Sequence, residues 1–151
     1  MSGDAYPGQS AERRVIEAWF DATGQGGIPA AELVVIRERM GLSQAQFAPL
    51  MGVSSRAIKR WEGGERNMTC ANADIVARLE MEFDAEVARA IRALGRATDD
   101  ERLVIAYRSD ADLHAVHPSA GRPASWGRAV AGAVRFGAPF VVAVEFAPAA
   151  P

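Results

Sequence analysis

Two short runs, Ser43 to Met51 and Ser54 to Glu62, each open on a serine and are joined through Gly52-Val53 alone. That join constrains the fold more than any other feature of the chain. Helices this short are marginal in isolation, so they must bury an apolar face against each other. Phe47, Ala48, Met51, Val53, Ile58 and Trp61 supply that face, and Ala48 is small where the two helices cross. Gly52 stands where the chain leaves the first helix sharply, a place for the left-handed conformation. Ser43 and Ser54 are suited to capping the two helices. The outward positions of the second helix, Ser55, Arg56, Lys59 and Arg60, are all polar, and three are cationic. Pro49 runs against the pattern, because inside a helix it removes a donor and crowds the preceding turn. A kinked or shortened first helix is the expectation there.

The flanking segments extend the helical pattern. Ala30 to Met40 reads as a helix with Leu33, Ile36 and Met40 inward, ended by Gly41. Upstream, residues 1–9 read as a loose arm, and Ser10 opens a further helix to about Thr23 before the glycine-rich break ahead of Pro29. Downstream, Thr69 to Leu94 is a long amphipathic helix with Ile75, Leu79, Phe83, Val87 and Ile91 at every fourth position. That spacing drifts around a helix of ~3.6 residues per turn, so a bend or a change of packing partner is expected. Packing within one chain and packing across a dimer are both open for it. Then come a strand at Leu103 to Tyr107, a short helix at Ala111 to His117, a helix at Ala124 to Phe136 and a strand at Phe140 to Phe146. Two strands alone are marginal; they either pack on the helices as a small sheet or complete one with a second chain. The expected fold is α+β, mainly α, divided into residues 1–28 (arm and extra helix), 29–68 (helical reading domain) and 69–151 (long helix and small-sheet region).

Charge is distributed unevenly. Residues 30–68 carry six bases against four acids, whereas residues 69–101 carry four bases against eight acids. A locally basic segment in a chain of net charge −2 suits contact with phosphate at one end, not a blanket nucleic-acid coat. No run reaches about 18 uninterrupted apolar residues, the N-terminus lacks a secretory pattern, and one cysteine excludes an internal disulfide. A cytoplasmic protein without membrane contact is the expectation.

The run from Arg37 through Gly41-Leu-Ser-Gln44, Phe47-Ala48, Gly52-Val-Ser54, Ile58 and Trp61-Glu62 to Gly64 closely resembles the Cro and phage-repressor (XRE-like) helix-turn-helix family. The resemblance covers roughly 40 residues and implies a sequence-specific DNA-binding transcription regulator. It places Ser55 and Arg56 at base edges in the major groove, with Arg60 one turn later. Gln44 contacts phosphate from the start of the first motif helix. Ser54, Lys59 and Arg66 are backbone contacts, which position the protein without reading sequence.

The second half, with Leu113-His-Ala-Val-His-Pro118 and Trp126 on an alanine-rich helix, resembles a narrower group of small bacterial regulators. These join an N-terminal helix-turn-helix to a C-terminal dimerisation module, and include repressors associated with anti-CRISPR operons. The resemblance implies a homodimer made through this half, with Trp126 in its core or interface, binding double-stranded DNA at an inverted repeat as an autorepressor. Three other functions keep the fold: an antitoxin whose C-terminal half binds a protein partner, an RNA-binding regulator using the same basic face, and a structural module whose helix-turn-helix packs protein instead of DNA.

Catalysis is not expected. His114 and His117 are spaced as two metal ligands could be, with Asp110 and Asp112 nearby, but paired surface histidines are common. Cys70 has no basic neighbour in sequence to activate it, and Asp99-Asp-Glu101 reads as a solvated turn. No Ser-His-Asp order, phosphate-binding loop or dinucleotide fingerprint is present. No cofactor or metal is expected.

Overall fold

The computed structural model of the protein describes residues 27–148, and the helix expected from Ser10 to Thr23 lies outside them. Helix α1 spans Ala30–Arg39, with Leu33 and Ile36 buried and Met40 closing its inner face. Gly41 follows at φ +70°.

Helix α2, Gln44–Met51, begins with a reciprocal cap. The Gln46 backbone N–H donates to Ser43 Oγ at 3.1 Å, and the Ser43 N–H donates to Gln46 Oε1 at 3.0 Å. Contrary to the expected shortening, α2 runs through Pro49 to Met51. The carbonyl that loses its helical donor is that of Ala45, and Ala45 and Pro49 are both exposed, so water can replace the donor. Gly52 ends α2 at φ 67°, ψ 29°, while the Val53 N–H donates back to the Ala48 carbonyl at 3.0 Å. Open space surrounds a Cβ built at Gly52. The glycine is therefore required by the backbone angle, not by crowding.

Helix α3, Ser55–Glu62, is capped by Ser54, whose Oγ accepts from the Ala57 N–H at 3.3 Å. It buries Ile58 and Trp61 against α1 and α2. Helix α4, Cys70–Leu94, is capped by Thr69, and buries Val76, Leu79 and Phe83. The fourfold spacing of its apolar residues is resolved by a change of partner. The first half packs on the α1–α3 unit, and from Phe83 onward the inner face meets the C-terminal half.

After a single 3-10 turn at Asp99–Glu101 come strand β1 (Leu103–Ala106), helix α5 (Asp110–Val116), helix α6 (Ala124–Gly137) and strand β2 (Ala143–Phe146). The strands form a two-stranded parallel sheet, with Leu103 opposite Ala143 and Ala106 opposite Phe146. Parallel neighbours need a long crossover, and α5 with α6 provides it. Helix α6 covers the sheet and also packs on α4. Trp126 lies in this core, its ring edge-on to Phe83 with centroids 5.2 Å apart, and its Nε1–H donates to Glu86 Oε2 at 2.8 Å.

The core is continuous from Leu33 in α1 to Val142 at the approach to β2. At Gly41 the two halves approach closely: an added Cβ would come within 2.5 Å of the Ser125 carbonyl oxygen and 2.9 Å of Ala129 Cβ. Glycine is thus needed there twice over, for its φ and for the close approach of α6.

Candidate nucleic-acid interface

Burial of Ile58 and Trp61 turns the opposite side of α3 to solvent. Ser54, Ser55, Arg56, Lys59 and Arg60 are all exposed on that side, and Arg66 is exposed just beyond the helix. Arg60 Nε stands 3.6 Å from Glu65 Oε2 in a solvated pair, a contact worth little in water. Arg56, Lys59 and Arg66 form no ion pair among the described residues. Their charge is available to an incoming anion.

A shallow concavity of about 320 Å³ brings Ser54, Arg56, Arg60 and Arg66 together with Asn67, Thr69 and Asn72. Ser55 and Lys59 lie on α3 outside it. Asn67, Thr69 and Asn72 are not among the expected contacts, Thr69 being read from the sequence only as the start of the next helix. What joins them to Arg56 is the turn at Gly63-Gly64, with Gly64 at φ 71°, which brings the start of α4 back beside α3.

Gln44 stands apart. It is the first residue of α2 and half-buried, and its Nε2 donates to Glu62 Oε2 at 2.8 Å. Glu62 in turn accepts from Arg37 Nε at 2.5 Å and Nη2 at 3.1 Å, while Arg37 Nη1 donates to the Leu42 carbonyl at 2.7 Å. Burial pushes the Glu62 carboxyl up, but the hydrogen bonds from Arg37 and Gln44 and the guanidinium charge outweigh it and hold the group below the ordinary range. The Arg37 guanidinium is raised, chiefly by the same hydrogen bond against the opposing effect of burial. This network ties α1, the start of α2 and the end of α3 into one unit, which sets the angle at which α3 is presented.

The other chemical candidates do not assemble. Among the described residues no group of three or more His, Cys, Asp or Glu side chains is placed to hold a metal ion. His117 stacks edge-on to Tyr107, and both histidines are exposed. Cys70 is exposed in the first turn of α4. No helix among the described residues is long and apolar enough to cross a membrane.

Residues 35–81 match the helix-turn-helix family of the Cro/C1 type, a span that takes in the second half of α1, the whole of α2 and α3, and the first half of α4. No curated protein matches the chain.

Proposed function

Because the chain carries a Cro/C1-type helix-turn-helix, that of a DNA-binding transcription regulator, we propose that it acts as a homodimeric autorepressor on a short inverted repeat. The observation that carries this reading is the solvent face of α3, where Arg56, Lys59 and Arg60 project together with nothing apolar among them. Ser55 and Arg56, in the first turn of α3, read base edges in the major groove, and Arg60 extends the reading one turn later. Either arginine suits a bidentate contact to guanine. Ser54, Lys59 and Arg66 hold phosphates, as does Gln44 from the start of α2, oriented by Glu62.

Residues 29–68 form the reader and residues 69–151 the dimerisation region, with residues 1–28 as an additional N-terminal element. A two-fold dimer engages half-sites ~34–36 Å apart, one helical turn of DNA, and multiplies the specificity of a single small reader. The tight seat of Gly41 on Ser125 supports this arrangement, since a reader fixed to the dimerisation region holds the half-site spacing constant.

The test is binding to the DNA upstream of its own coding sequence at fixed salt, with Arg56→Ala and Arg60→Ala beside the wild type. Saturable binding to one inverted repeat, lost or relaxed in these variants, supports the reading. Equal affinity for random DNA overturns it, and stronger binding to a stem-loop RNA or to a copurifying protein redirects it.

A further inference from the structure

Nine large apolar side chains are exposed among the described residues, and six of them, Leu103, Ile105, Phe136, Val141, Val144 and Phe146, belong to the sheet, its approach and the end of α6. None lies on α3. The sheet has only two strands, so each strand keeps an outer edge without a ladder partner among the described residues. Such edges and parallel strands are ordinarily covered. Between α6 and β2 runs an apolar groove of about 290 Å³, floored by Ala131 and Gly132 and walled by Phe136, Val144 and Phe146. Phe136 stands 89% exposed at its lip.

We propose that this groove seats a second copy of the chain about a two-fold axis, Phe136 of each copy closing on the groove of the other. The inference deepens the dimeric reading above and rests on it. Two observations favour a second copy over a different partner. Three charged residues line the groove, Arg128, Arg135 and Glu145. None forms an ion pair among the described residues, and Arg128 Nη1 is taken up by the Tyr107 and Arg108 carbonyls at 2.7 and 3.0 Å. A rim of one sign would suit a partner of the opposite sign. With Arg128 held by those carbonyls, Arg135 and Glu145 remain, one of each sign, and they complement each other on rotation, Arg135 of one copy meeting Glu145 of the other, as an isologous interface requires. Area agrees. Phe136, Val141, Val144 and Phe146 together expose roughly 500 Å² of mostly apolar surface, given the ~150–250 Å² that one aromatic side chain buries. That is close to the apolar share of a standard interface of ~800 Å² per partner.

The test is sedimentation equilibrium of the full chain across a concentration series, with Phe136→Glu, Arg135→Glu and the double variant Arg135→Glu/Glu145→Arg. All three changes fall on exposed positions, and circular dichroism confirms that each variant is folded. The expected result is a wild-type dimer, weakened about tenfold or more by either single change, as loss of a central anchor or a charge pair implies. The double variant recovers most of the loss. A wild-type dimer indifferent to Phe136→Glu and Arg135→Glu overturns this surface while leaving the dimeric reading intact. Loss without recovery in the double variant overturns the cross-pairing. A wild-type monomer overturns both, and hydrogen exchange then identifies the occupant: β2 amides protected equally at every concentration point to the chain's own residues 1–26.

Discussion

Arg37 and Glu62, 25 residues apart in the chain, meet fork to fork, Nε to Oε1 at 2.5 Å and Nη2 to Oε2 at 3.1 Å. Their side chains are 10% and 6% exposed, so the pair is largely shielded from water. It links the helix that precedes the motif to the last residue of the recognition helix. Gln44 and the Leu42 carbonyl take up a further lone pair and proton, and no buried side-chain N or O atom among the described residues lacks a partner. Additional hydrogen bonds of this kind are what make a buried ion pair tolerable.

Removing one partner strands the other. Arg37→Ala is expected to lower unfolding stability by about 3–5 kcal/mol, the range for an uncompensated buried charge. Urea denaturation measures it as a lower midpoint. A loss under about 1 kcal/mol would place the pair among ordinary surface contacts.

The pH dependence has a defined sign. Glu62 is held below its ordinary value of 4.5 in the folded state. Its contribution is therefore complete above that value and disappears as pH falls through the lowered one. The stability difference between wild type and Glu62→Gln should be constant near neutrality and shrink in acid. Glu80 works the other way: burial pushes its carboxyl up, partly opposed by Arg39. Glu80→Gln should be neutral to stabilising at neutral pH, with the gain fading as the pH falls through its raised value to below the ordinary one. A Glu62 gap that widens in acid would refute the assignment.

Gly41 and Gly52 both adopt positive φ, but for unequal reasons. Gly52→Ala meets only the left-handed penalty of ~1–2 kcal/mol, because the added methyl has open space. Gly41→Ala adds a clash with the Ser125 backbone and should cost clearly more. Calorimetric midpoints of the two variants give the order directly; equal losses would mean that α6 yields at the contact.

Trp126 is expected to tolerate Phe poorly. The ring volume is largely kept, but Glu86 loses the indole donor at 2.8 Å. An unsatisfied carboxylate at a half-buried position costs about 1–3 kcal/mol. Trp126→Phe with Glu86→Gln should recover part of that loss, which thermal unfolding of the single and double variants can resolve.

The proposed contacts separate by salt dependence. Lys59→Ala and Arg66→Ala should weaken DNA binding uniformly across sequences and reduce the salt slope by about 1 each. Arg56→Ala should cost about 1–3 kcal/mol at its target base and relax specificity there. Titrations at several salt concentrations distinguish the two behaviours, and identical salt slopes for wild type and Lys59→Ala would remove Lys59 from the phosphate set.

Much of the reading domain was legible from residues alone because its determinants are local. A serine caps an amide three residues on, a glycine marks a positive φ, and Phe47, Met51, Ile58 and Trp61 declare an inner face by their spacing. Those signals placed α2 and α3 almost to the residue, and the same reasoning set the ends of the long helix within one position. Pro49 misled because local rules count the lost donor and not the exposure that lets water replace it.

What tertiary structure decided depends on pairs far apart in the chain. The parallel pairing of β1 with β2, the change of partner along α4 and the approach of Asn72 to Arg56 have no period to announce them. Nor does the contact between Ser125 Oγ and Gln46 Oε1, across 79 residues at 3.3 Å. Periodicity reports which face of an element is buried and is blind to what buries it. The helix-turn-helix was therefore written in the sequence itself, whereas the seat of the reader on α6 and the open groove beside β2 emerged only when distant surfaces had packed.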